Sequence, residues 1–122
     1  MKREIITIDE QGRLNIPTDT ASVWMTLPEI VELFGTTAGT IRAAIKAILK
    51  ENALHDYEVC KCVRLDSGNS ADVYNMEVVV ALAFRLNTYP ASVFRKWLVK
   101  TTTAPRRTIP PIVIRYKDGL LN

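Results

Sequence analysis

Residues 26–50 have the sequence TLPEIVELFGTTAGTIRAAIKAILK, which predicts two helices joined by a tight turn. Thr26 and Glu29 have the T-x-x-E spacing of a capping box, and Pro28 lies in the first turn, where its missing N–H costs nothing. The first helix is therefore expected to begin directly after Thr26. Gly35 is expected to end it, because glycine readily adopts the positive φ with which helices commonly stop.

The second predicted helix has an apolar stripe and a basic face. The stripe has helical spacing and consists of Ile41, Ala44, Ile45, Ile48 and Leu49. Arg42, Lys46 and Lys50 follow one another at intervals of four residues, so they lie along one side of the helix. Two helices around a glycine turn predict a helix-turn-helix over residues 26–51.

The segments on either side of this motif predict strands and two further helices. Alternating apolar residues predict a β-hairpin over 4–17, and a second hairpin is expected over 57–74. Two helices are expected within 76–102, where Thr88-Tyr89-Pro90 separates them. The predicted fold class is therefore α+β: a helix-turn-helix core with a wing-like β-hairpin, two further helices and an N-terminal β-hairpin.

The two C-terminal helices have different patterns. Asn75 is expected to cap the first, which extends to Asn87, and its apolar run over 78–84 predicts burial on most sides. The second is expected over 90–102. It places two aromatic residues inward and three cations outward: Phe94 and Trp97, and Arg95, Lys96 and Lys100.

Length and composition favour one domain. A chain of 122 residues, 48% of them apolar, is long enough for one hydrophobic core and short for two. We expect a single winged-helix-like domain over 1–103 and a Pro-rich extended tail over 104–122. No run approaches the roughly 18 apolar residues of a membrane span, and the N-terminus lacks the apolar segment of a signal peptide. A cytoplasmic protein with no membrane partner is expected.

Positive charge is concentrated towards the C-terminus. The formal net charge is only +3, but no acidic residue occurs over 78–117. Eight cations occur there: Arg85, Arg95, Lys96, Lys100, Arg106, Arg107, Arg115 and Lys117. This distribution is consistent with a polyanionic partner and equally with simple solvation of helix faces.

Few residues suggest catalysis or metal binding. His55 is the only histidine, and no arrangement of serine or cysteine around it is visible in the sequence. Cys60 and Cys62 lack the second pair of ligands that a zinc site requires, so reduced structural thiols are expected. We expect no enzyme, no catalytic residue, no metal, no cofactor and no small-molecule substrate.

Several short motifs follow one another in a fixed order through the helices and the second hairpin. They are Val23-Trp24-Met25-Thr26, Ile30-x-x-Leu33-Phe34-Gly35, Thr40-Ile41 with Ile45, Cys60-Lys61, Tyr74-Asn75-Met76, Arg85-x-Asn87 and Phe94-Arg95-x-Trp97. This series resembles the N-terminal region of the RhuM-type virulence-protein family. The resemblance implies a helix-turn-helix DNA-binding protein of bacteria and their mobile elements.

The leading end of the second helix is poorly equipped to distinguish bases. In a helix-turn-helix these residues meet base edges in the major groove, and here they are Ala38, Gly39, Thr40 and Ala43. Thr40 offers a hydroxyl and Ala43 can touch a thymine methyl. Neither offers the bidentate hydrogen bonds that arginine gives guanine or asparagine gives adenine, so direct readout is expected to be weak.

Phosphate contact is the better-supported role of this helix. Its three cations can reach phosphates, and the backbone amides near Thr37 can bind another. The Arg106-Arg107 pair in the tail can follow a phosphate backbone or enter a minor groove, or it is a solvated linker. The predicted DNA-binding residues are Thr37, Thr40, Arg42, Ala43, Lys46, Lys50, Arg106 and Arg107. The alternative for the helix is a solvated packing element that binds nothing.

Two functions therefore stay open. The first is a DNA-binding accessory or transcription-regulatory protein that contacts duplex DNA mainly through phosphates. In that function the turn at 66–70 has the place of a wing, although Asp66 and Asp72 would repel phosphate and favour a purely structural hairpin. The rival is a protein-interaction module on the same scaffold that has lost DNA reading, in which the tail segment 112–116 or the apolar helix over 78–84 docks a partner or a second copy of the chain.

Overall fold

The structure is a computed structural model that describes residues 3–51 and 55–103 of the chain. Within these residues the fold is α+β, with four helices of eight residues or more and two small antiparallel sheets. The strands are β1 (Thr7–Ile8), β2 (Leu14–Asn15), β3 (Trp24–Thr26), β4 (Cys60–Arg64) and β5 (Ser70–Asn75). The helices are α1 (Leu27–Phe34), α2 (Ala38–Glu51), the single turn α3 (Asp56–Val59), α4 (Met76–Arg85) and α5 (Tyr89–Thr103). None of these helices is long and apolar enough to cross a membrane.

Both ends of α1 have the structure that the sequence predicts. The Thr26 hydroxyl accepts a hydrogen bond from the Glu29 amide (3.3 Å), and the Glu29 carboxylate accepts one from the Thr26 amide (2.8 Å). At the other end Gly35 has a φ of 64°, and its amide donates to the Val31 carbonyl (2.9 Å). The capping box and the glycine stop are confirmed.

Arg3 holds the start of α1 against the strand that precedes it. Its guanidinium forms an ion pair with Glu29 (2.9 Å) and donates to the Trp24 carbonyl (2.7 Å). Burial alone raises the pKa of the Glu29 carboxyl, but the hydrogen bonds from Arg3 and from the Thr26 amide outweigh burial and lower that pKa. Glu29 therefore stays ionised at neutral pH and links the N-terminal segment to β3 and α1.

Two glycines around the turn between α1 and α2 are expected to respond oppositely to alanine. Gly35→Ala places a side chain in the left-handed region, which lowers the free energy of unfolding by about 1–2 kcal/mol. Gly39 lies inside α2, and a Cβ there has no neighbour within 4 Å. Gly39→Ala is therefore expected to raise the free energy of unfolding by about 0.5–1 kcal/mol. Urea denaturation of both variants measures this, and shifts of the same sign would contradict the turn geometry.

The hydrophobic core lies between the four long helices. Its largest fully buried side chains there are Ile30 and Phe34 of α1, Ile41 and Ile48 of α2, Leu82 of α4 and Phe94 of α5. The ring centroids of Phe34 and Phe94 are 6.2 Å apart, and Trp97 packs 5.9 Å from Phe94. The predicted inward positions of Phe94 and Trp97 are confirmed.

The three-stranded sheet joins the segment before α1 to the segment after α2. Its order is β3-β5-β4, and all its pairs are antiparallel, with Tyr74 of β5 between Met25 and Cys60. β3 leads directly into α1, whereas the β4-β5 hairpin follows α2 and α3 along the chain. The same sheet therefore includes the strand that precedes α1 and the hairpin that follows α2.

The N-terminal hairpin is much shorter than the predicted span over 4–17. β1 and β2 pair over only two residues each. If their register continued, Ile5 would face Pro17, which has no N–H to donate to the ladder. The Glu4 backbone instead forms a parallel bridge with Val23, beside β3. The first residues of the predicted hairpin thus belong to the edge of the other sheet.

The second hairpin begins three residues later than the predicted start at residue 57. Residues 56–59 form the helical turn α3, in which the amides of Glu58 and Val59 donate to the His55 carbonyl (2.9 and 3.3 Å). This turn buries Val59 in the core, which an extended strand starting at residue 57 would not require. The hairpin tip is as expected, because Gly68 has a φ of 92°.

Burial of the apolar run in α4 is less complete than predicted. Val78, Val79, Leu82 and Ala83 are buried, but Phe84 is 57% exposed. The helix packs on α2, α5 and β5 through its buried side chains, and Phe84 is not among them. The helix also ends at Arg85, two residues before the predicted end.

Arg95 was expected to face outward with Lys96 and Lys100, and this is wrong. Its guanidinium is half-buried and donates to the carbonyls of Ala83 and Leu86, both at 2.7 Å. These carbonyls lie at the end of α4, where helical carbonyls lack partners within the helix. Arg95 therefore fastens the end of α4 to α5.

Candidate nucleic-acid interface

The N-terminus of α2 is stabilised by Thr37. Its side-chain oxygen accepts a hydrogen bond from the Thr40 amide (3.2 Å), and the hydroxyls of Thr37 and Thr40 lie 2.8 Å apart. Thr37 therefore caps α2. Both residues are exposed, and the bond between their hydroxyls uses the proton of one of them, so the other hydroxyl can still donate to a ligand.

One face of α2 anchors the helix. Ile41, Ala44, Ile45 and Ile48 are buried against α1 and α4. At the far end Glu51 forms an ion pair with Arg85 of α4 (2.8 Å), and this hydrogen bond lowers the pKa of the exposed Glu51 carboxyl. The outward face of α2 is thus presented by a helix fixed along its length.

The outward face is basic and otherwise consists of small side chains. Arg42, Lys46 and Lys50 are exposed, as are Thr40 and Ala43. Consecutive cations lie about 6 Å apart along the helix axis, because four residues of α-helix rise by that amount. The structure therefore brings five predicted contact residues together on one surface.

Among the described residues no cation of the α2 face forms an ion pair with a carboxylate, although the Glu51 carboxylate interacts electrostatically with Lys50. The ion pairs found within residues 3–51 and 55–103 are Arg3 with Glu29, Arg13 with Asp9, and Arg85 with Glu51. None of them includes a cation of the α2 face. An anion that approaches this face therefore meets three cations that no ion pair of the described residues includes.

Arg42 interacts electrostatically with the Tyr74 hydroxyl of β5. Burial raises the pKa of the Tyr74 hydroxyl, and the neighbouring Cys60 and Asp72 add to that rise. The positive charge of Arg42 opposes it.

The β4-β5 hairpin has mixed charge. Asp66 at the tip and Asp72 on β5 are exposed, and so are Lys61 and Arg64 on β4. The Lys61 ammonium lies 4.0 Å from the ring centroid of Trp24, a cation–π contact that holds it over β3. The hairpin therefore offers a weaker attraction for phosphate than α2 does, as its acidic residues predict.

Two predicted contacts cannot be placed. Arg106 and Arg107, with the rest of the tail over 104–122 and its segment 112–116, lie outside the described residues.

A further basic surface, which the sequence patterns did not identify as a site, lies on α5. There Lys96 and Lys100 flank Val99 and the exposed Phe84 of α4. The signal was available, because the two lysines are one helical turn apart on the side that holds Val99.

Other kinds of site find little support in the described part of the chain. No group of three or more His, Cys, Asp or Glu side chains there is arranged to hold a metal ion. Cys60 and Cys62 do not form a disulfide. The basic face of α2 is therefore the arrangement with the clearest chemical capability, which is the binding of a polyanion.

No protein-family model, curated protein or solved structure matches the chain. The resemblance to the RhuM-type family therefore stays a prediction from spaced motifs. The function of the α2 surface is inferred from its own residues.

Proposed function

We propose that this chain is a DNA-binding accessory or transcription-regulatory protein that contacts duplex DNA mainly through phosphates. In this proposal α1 and α2 are a helix-turn-helix, α2 lies in the major groove, and the β4-β5 hairpin is a structural wing. The observation that carries the proposal is the exposed α2 face, on which Arg42, Lys46 and Lys50 are aligned without ion-pair partners in the described residues.

The geometry of the turn supports a helix-turn-helix. Three residues separate α1 from α2, and the first of them is Gly35 in the left-handed conformation. A short turn of this kind, often with glycine, is characteristic of the motif. β3 and β5 pack on α1, while α1 and α4 pack on α2 and orient it.

Weak sequence discrimination follows from the same surface. Ala38, Gly39 and Ala43 have no side-chain hydrogen-bonding group, and the Thr40 hydroxyl is engaged with Thr37. Phosphate contacts supply affinity and register, but they carry no direct sequence information. We therefore propose that α2 holds the DNA backbone and that base selection, where it occurs, depends on DNA shape.

Equilibrium binding to duplex DNA tests this proposal. Full-length protein is titrated into a fluorescein-labelled duplex of about 20 base pairs at roughly 50 mM salt, where phosphate contacts are strong. We expect a rise in anisotropy that weakens steeply with added salt and differs little between unrelated sequences. Absence of binding at low salt would refute the proposal.

A further inference from the structure

An open groove lies between α4 and α5, and none of its lining residues belongs to α2. Its volume is about 440 Å³, and its lining residues are Phe84, Ser92, Arg95, Lys96, Val99 and Lys100. Phe84 is 57% exposed and Val99 is 52% exposed. Two large apolar side chains more than half exposed in one groove form the kind of patch that protein-binding surfaces use.

The groove is held in shape before any ligand arrives. Arg95 in its lining donates to the carbonyls of Ala83 and Leu86 at the end of α4. On the opposite side of α5, Phe94 is fully buried in the core. The two helices therefore cannot separate without breaking these contacts. Because they are already ordered, binding of a ligand carries no entropic cost for ordering them.

The positive charge of the groove favours one kind of ligand over others. Lys96 and Lys100 are exposed at its rim, and its lining contains no acidic residue. The chain's own segment after Thr103 has four cations and one acidic residue, Asp118, so like charges oppose its docking. A second copy docked groove to groove would set lysines against lysines. A partner with carboxylates has the charge that is complementary to Lys96 and Lys100.

DNA fits this groove less well than a protein segment does. Phosphates would satisfy the lysines, but the phosphate backbone has no apolar group to cover Phe84 and Val99. An amphipathic helix satisfies both, because its apolar side chains lie on one face and its carboxylates flank them. Lys96 and Lys100 are one turn apart, about 6 Å along the axis, which matches carboxylates one helical turn apart.

We propose that the α4-α5 groove binds an acidic amphipathic segment of a protein partner. Apolar side chains of that segment pack on Phe84 and Val99, and its carboxylates pair with Lys96 and Lys100. This binding does not require the residues of the α2 face, so it can be tested independently of DNA binding.

Selection from a phage-displayed library of random peptides of about 16 residues, long enough for four helical turns, tests the proposal on the full-length chain. We expect the enriched peptides to have net negative charge and apolar residues at helical spacing. Failure to enrich peptides, or enrichment without an acidic bias, would overturn the proposal.

Variants then locate the binding of an enriched peptide. Phe84→Ser, Val99→Ser and the double variant Lys96→Glu/Lys100→Glu are each expected to raise the peptide Kd by about tenfold or more, as central interface residues do. The matched controls Ile5→Ser and Arg13→Glu, in the N-terminal segment, are expected to change it by less than about twofold. Thermal melting shows that each variant is folded. Unchanged affinity in the groove variants overturns the proposal, and so does loss of duplex DNA binding in Phe84→Ser, which would assign the groove to DNA.

Discussion

Arg42→Ala/Lys46→Ala/Lys50→Ala is expected to raise the Kd for duplex DNA by about 100-fold or more at roughly 0.1 M salt. Each phosphate contact contributes about 0.9 to the slope of log affinity against log salt, so three contacts together contribute about 2.7. At 0.1 M salt this corresponds to a few hundredfold in affinity. The three side chains are exposed and α2 keeps its buried face, so the fold is expected to survive, as circular dichroism can verify.

A charge-matched variant distinguishes specific contact from a general loss of positive charge. Arg13→Ala/Lys96→Ala/Lys100→Ala also removes three cations, but from the N-terminal hairpin and α5. Because screening limits the reach of exposed charges to about 10 Å at this salt, the control is expected to alter the Kd by less than about threefold. Equal losses in both variants would mean that α2 is not the DNA-contacting helix.

Phe94→Ala is expected to lower the free energy of unfolding by about 3–5 kcal/mol. The side chain is fully buried and packs on Phe34 of α1 and Trp97 of α5. Its removal leaves a cavity between helices that a ten-residue α4 and an eight-residue α1 have little freedom to close. Denaturant unfolding measures the loss, which would be a large fraction of the stability of a small domain.

Phe84 is the control for this variant, because it is the same residue type on an exposed surface. Phe84→Ala is expected to change the free energy of unfolding by less than about 1 kcal/mol. If Phe94→Ala unfolds the chain altogether, Phe94→Leu, expected to cost about 1–1.5 kcal/mol, gives a measurable value. Similar effects of alanine at both positions would contradict the packing of α5 described above.

The central part of the fold was predictable because its signals are local. A capping box, a glycine stop and a helical stripe each act within a few residues, and α1 begins and ends where they indicate. The same holds for the Asn75 cap of α4, whose side chain accepts from the Val78 amide. The assignment of these helices to a helix-turn-helix that binds DNA stays a prediction.

The wrong predictions concern interactions between segments that are distant in the sequence. Arg95 is a cation like its outward neighbour Lys96, and only the position of the α4 end, nine residues earlier, makes it a half-buried donor. Phe84 belongs to an apolar run, but its exposure depends on where α2 and α5 contact α4. Glu4 forms its bridge with Val23, nineteen residues later and next to β3. The hydrophobic pattern of the sequence and the helix and strand propensities of its residues do not show which distant segments will be in contact.

The candidate site was partly predictable for the same reason. The row of cations on α2 follows from helical periodicity, and the structure places all three on one exposed face. Their lack of ion-pair partners among the described residues depends on tertiary packing, which assigns the nearby Glu51 to Arg85 and Glu29 to Arg3. Thr37 and Thr40 were predicted as contacts, but their mutual hydrogen bond was not visible in the sequence.

The salt dependence of DNA binding tests the central claim most directly. Kd for one duplex is measured by anisotropy from roughly 50 to 200 mM salt, for the unmodified chain and for the α2 triple variant. If α2 holds phosphates through its three cations, the slope of log affinity against log salt becomes shallower by about 2–3 in the variant. Equal slopes for the two proteins would contradict the assignment of α2 as the phosphate-contacting helix.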